Sequence, residues 1–200
     1  MSWRSRFVAA LFILLAGSGW AAAEGSSWRV TRGEVRVTCL MTVGGSFEAK
    51  TPSLTGVVVV GDSRPSVFSG DLSVDLRTLD TGMSLRNDHL RNEYLEVGHE
   101  GFERAVLSEI KLGDVDPNTF QGRTGFTATF LLHGTRRTVT GRAEIHRDGS
   151  SVRVEASFPV TLPDYGIAKP RYLGVGVKDE VEVKASLVAV PETALAGGPR

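Results

Sequence analysis

The chain is short of cysteine, has no excess of charge of either sign, and has no apolar run long enough to cross a membrane. Cys39 is the lone cysteine among 200 residues, so an internal disulfide and a thiolate zinc site are both excluded. Lys plus Arg equals Asp plus Glu, 23 each, so no net field draws the protein to nucleic acid or acidic lipid. His89, His99, His133 and His146 include no His-x-x-x-His pair to hold a metal. His89 and His99 each have a carboxylate residue next in sequence, which on a helix or strand points away from them. A Gly-x-Ser-x-Gly elbow, a phosphate-cradling glycine loop and a dinucleotide fingerprint are all missing.

The one apolar stretch, Phe7 to Ala16, is about half the length of a membrane span. Arg4 and Arg6 precede it and Ala21-Ala22-Ala23 follow, the order of a secretory signal peptide with cleavage before Glu24. The expected organisation is a signal peptide at 1–23, one domain at 24–190 and a flexible tail at 191–200. The mature protein is then expected in the periplasm, as a monomer or homodimer, with no integral membrane span and no nucleic-acid partner.

What the chain does have is alternation. Val152, Val154, Ala156, Phe158, Val160 and Leu162 fall on one face, opposite Arg153, Glu155, Ser157 and Thr161. Val181, Val183, Ala185, Leu187 and Ala189 repeat the pattern against Glu182, Lys184 and Ser186. A period of two means strands with one apolar face. Similar runs occur at Val35–Val43, Leu54–Val60, Phe68–Leu76, Val106–Leu112, Phe120–Leu132 and Val139–Ile145, with 23 glycines supplying turns. Pro159 interrupts one run and predicts a bulge or local opening there.

The period changes once. Leu85, His89, Leu90, Tyr94 and Val97 lie at helical spacings, so Ser84–Val97 reads as a helix with Arg86, Asn87, Arg91 and Glu93 outward. About eight strands, each apolar on one face, close readily into an antiparallel lipocalin-like barrel. The all-β fold expected is that barrel with the helix near one end.

A barrel of this size is filled by side chains or holds one small ligand. The inward positions are Phe68, Leu72, Val74, Leu76, Phe126, Phe130, Val139, Ala143, Phe158, Val183, Ala185 and Leu187, with His89, Tyr94 and Tyr165 at the mouth. The small residues leave room that the phenylalanines would fill if turned inward. If the space stays open, its ligand must be mostly hydrocarbon, because almost no inward position is charged. Lys169, Arg171 and Lys178 in the connector suit a phosphate head group or plain solvation.

Three segments together carry a family resemblance. They are Asp88-His89-Leu90-Arg91-Asn92 with Tyr94-Leu95-Glu96-Val97; Phe130-Leu131-Leu132-His133-Gly134-Thr135; and Asp164-Tyr165-Gly166-Ile167 with Lys178-Asp179-Glu180-Val181. They resemble the YceI-like family, the lipocalin-like polyisoprenoid-binding proteins of bacteria, over roughly Trp28 to Val190. Gly98-His99-Glu100-Gly101 replaces a Tyr-Pro pair common in that family, and Thr138 replaces a proline. The resemblance implies a non-enzymatic, exported protein with no cofactor, holding an isoprenoid lipid or quinone in the barrel. Two alternatives stand beside it: a stress-related interaction protein with a filled barrel, and a lipid-head-group enzyme using His89 or His99 as base.

Overall fold

Ten strands follow the alternating runs: β1 (Ser26–Met41), β2 (Ser46–Thr51), β3 (Thr55–Val60), β4 (Val67–Asp75), β5 (Arg104–Leu112), β6 (Gly122–Leu132), β7 (Thr135–Asp148), β8 (Ser151–Thr161), β9 (Arg171–Tyr172) and β10 (Val175–Pro191). This computed structural model describes residues 26–61, 67–113, 119, 121–168, 171–172 and 175–193. The expected signal peptide, the turn at 62–65 and the tail from 194 onward lie outside them.

All strand pairs are antiparallel, and β1 pairs with β10 to close the sheet. Along its other edge β1 is shared: residues 26–29 pair with β3, and residues 35–40 with β2. β2 and β3 therefore form one stave with a break, β9 is a short addition to β10, and the barrel has the expected eight staves. The break is held from both sides. Leu54 tucks over β1 at Gly33, where a Cβ would lie 2.7 Å from the Cβ of Leu54. Thr51, fully buried, shares hydrogen bonds with Ser53 and Thr78, and Ser53 accepts from the Asp75 amide at 3.0 Å.

The expectations fail in three places. β1 begins at Ser26 and runs straight through Gly33, well before the alternating run that starts at Val35. β2 has only six residues ending at a proline, too few alternations to stand out. The helix is divided: α1 spans Ser84–His89, and a π-helical turn follows over Leu90–Tyr94. A π turn inserts a residue and rotates the following side chains. Leu85, expected to pack inward, is 66% exposed, while Leu95 is buried. Three side chains expected to face outward are anchors. The Arg86 guanidinium lies 4.6 Å from the Phe47 ring centroid, Asn87 donates to Asp80 at 2.7 Å, and Arg91 donates to the Leu79 carbonyl.

Pro159 is accommodated by an opening. The β7–β8 ladder reaches only Ser157, while β8 continues along β10 with Pro159 opposite Glu182. The missing N–H therefore removes no bond from β7.

Candidate ligand-binding lumen

The inward faces enclose two apolar cavities, end to end. The first, about 150 Å³, lies at the end where the π turn packs. Leu90, Tyr94 and Leu95 from the π turn and its exit, and Leu162 and Ile167 from the β8–β9 connector, line it there. The second, about 110 Å³, lies toward Trp28, Val60, Leu112 and Ile145. Among the described residues, every one lining the second is hydrophobic, and the first adds only the Cys39 thiol and the Tyr94 hydroxyl.

Of the residues singled out in the sequence, Leu72, Val74, Leu76, Tyr94, Phe130, Phe158, Val183 and Ala185 line the first cavity. Phe68, Leu72 and Leu187 line the second. Phe126, Val139 and Ala143 are inward and buried but border neither cavity. Phe126 lies over Gly141, where a Cβ would come within 2.6 Å of its ring. Its ring meets Phe158 edge-on at 6.0 Å, Phe158 meets Phe130 at 5.3 Å, and Phe130 meets Tyr165 at 5.8 Å. Phe126 fills the space over Gly141, so the wall is packed there, while Phe130 and Phe158 farther along the aromatic chain border the first cavity.

Sequence reasoning left out Val35, Val37 and Cys39 of β1, although their alternation is plain, and Leu95 and Ile167, which it had no means of placing inward. Cys39 faces the first cavity, and burial pushes its thiol up to about 11 against the opposing pull of Arg86. At neutral pH it is an uncharged, essentially apolar wall group.

The polar residues lie around the lumen. His89 is exposed, 3.8 Å from Glu93, and borders neither cavity. Tyr165 is buried behind Phe130; its hydroxyl has no partner among the described residues, and burial raises its pKa. His133 is the better-placed histidine. It occupies the β6–β7 hairpin with Gly134, both in left-handed conformation (φ 49° and 69°), as a tight hairpin turn requires. Its Nε2 is 2.9 Å from a Glu96 carboxylate oxygen and its Nδ1 is 3.1 Å from the Tyr165 carbonyl. Both partners are oxygen acceptors. Phe102 packs on the ring at a centroid distance of 4.1 Å. His133 thus ties the exit of the π turn to the hairpin and the β8–β9 connector. Among the described residues no group of three or more His, Cys, Asp or Glu side chains is placed to hold a metal.

A closed eight-stave antiparallel barrel with an apolar lumen and one short helix is a lipocalin-like fold. The chain belongs to the YceI-like family, whose domain model it matches over residues 25–189. Two solved structures share the fold. BcnA of Burkholderia cenocepacia is 15% identical, with a TM-score of 0.62 over 78% of this chain and 95% of its own. A polyisoprenoid binding domain from Saccharophagus degradans, implicated in plant cell wall breakdown, is 14% identical, with a TM-score of 0.62 over 83% of this chain and 99% of its own. A search of the curated proteins finds no match to the chain.

Proposed function

We propose that the protein binds an isoprenoid lipid, a polyprenyl chain or an isoprenoid quinone, in the barrel lumen, and carries or stores it in the periplasm without chemical change. The observation that carries this reading is the first cavity, lined among the described residues almost wholly by apolar side chains and reaching the end where the π turn packs. An apolar cavity favours hydrocarbon over water. The shared fold of the polyisoprenoid binding domain from Saccharophagus degradans supports the same ligand class. Leu40, Val43, Met83 and Leu85, the exposed large apolar side chains among the described residues, sit on the β1–β2 hairpin and the start of α1, at the end where a tail would enter. The signal peptide read at 1–23 supports export.

Energetically the reading suits a carrier. Each buried CH₂ is worth about 0.8 kcal/mol against water. A membrane lipid, however, begins in hydrocarbon, so its transfer into the lumen exchanges one apolar surrounding for another and is nearly balanced. Organic extraction of freshly purified protein, followed by mass spectrometry, tests the assignment. A prenyl lipid in stoichiometric yield is expected; an extract without one, from protein that also fails to bind added farnesol, contradicts it.

A further inference from the structure

Among the described residues, Leu72 alone borders both cavities. It lies on β4, four staves from β8 in an eight-stave barrel and so across the lumen from Phe158. The two sides differ in freedom. On the β6–β8 side, Phe126 is seated on Gly141 and meets Phe158 edge-on, and Phe158 is held in turn by Phe130. On the β4 side, Leu72 is only partly buried and follows a bulge between Phe68 and Asp71. Its cross-strand partner on β3 is Gly56, which has no side chain to confine it, and a Cβ there would lie 3.0 Å from the Leu72 Cα. A leucine beside a glycine can change rotamer without displacing a neighbour on that edge.

We infer that Leu72 is the partition that sets the length of isoprenoid tail the lumen accepts. With Leu72 in place a tail ends in the first cavity; with Leu72 turned aside the tail continues into the second. The inference rests on the lipid reading above and adds its specificity-determining residue.

Two native reporters separate the cavities: Cys39 lines the first and Trp28 the second. The experiment titrates the purified protein with geraniol, a short prenyl alcohol, and solanesol, a long one. It follows alkylation of Cys39 and the part of the emission that is lost in Trp28→Phe. Geraniol is expected to protect Cys39 alone, and solanesol to protect Cys39 and shift Trp28. In Leu72→Phe the ratio of solanesol to geraniol affinity should fall at least about tenfold, and in Leu72→Ala it should rise. An unchanged ratio in both variants, or a Trp28 response to geraniol equal to that for solanesol, overturns the partition. Should Leu72→Phe fail to fold, the ratio in Leu72→Ala decides alone. Protein that binds neither alcohol contradicts the lipid reading itself, whereas protein that binds both without discrimination contradicts only the partition.

Discussion

Cys39 and His133 behave as their surroundings dictate rather than as their residue types suggest. With its thiol pushed up to about 11, Cys39 carries almost no thiolate at neutral pH. Since each pKa unit is tenfold in thiolate and access is restricted as well, alkylation at neutral pH should run about a hundredfold or more below that of the unfolded chain. A rate matching the unfolded chain would place Cys39 at the surface. For His133, removal of the ring strands Glu96 and the Tyr165 carbonyl and empties the face of Phe102. His133→Ala should therefore cost about 1–3 kcal/mol in urea unfolding. A loss below about half a kcal/mol, within the range of an ordinary surface change, would show that this tie holds nothing.

At the scale of elements, α1 is too short to hold itself together and depends on its anchors. Asp80 accepts from Asn87 at 2.7 Å and from the Gly82 amide at 2.9 Å, and the Asn87 bond holds its carboxyl below the usual range. A depressed carboxyl contributes stability above its unfolded pKa, about 3.9, and loses it as pH falls through the lower folded value. Asp80→Ala should lower the melting temperature at neutral pH, and the gap from the parent should close on acidification below about pH 4. A gap independent of pH would assign the effect to packing. The elements also show what could be read in advance. Strand faces were legible because Val152 to Val160, even across Pro159, and Val181 to Ala189 keep a period of two, and neighbours on both sides enforce the register. The helix face was not, because the π turn over Leu90–Tyr94, which shifts the side chains after it, has no signature in the spacing of apolar residues. Whether an inward residue borders open space was also hidden. Phe126, Val139 and Ala143 alternate as regularly as Phe130 and Ala185, and only the seating of Phe126 on Gly141 separates covered wall from open wall.

At the scale of the whole molecule, the barrel combines a packed side with an open lumen, and these make different demands on substitution. Gly141→Ala would bring a Cβ to 2.4 Å from the Ser157 carbonyl oxygen, which is backbone and cannot yield easily, and to 2.6 Å from the Phe126 ring. It should destabilise the fold by about 1–3 kcal/mol as an overpacked core does, read from the denaturant midpoint; a neutral result would mean that the packed side is loose. Ala185, by contrast, faces the first cavity, where a larger side chain meets open space. Ala185→Phe should leave the barrel folded and take the place of the tail. Native mass spectrometry of the parent and Ala185→Phe, purified side by side, tests the lipid-binding account most directly. The predicted result is a parent carrying the added mass of one prenyl lipid and a folded variant carrying none; the same mass on both proteins, or no added mass on the parent, would contradict it.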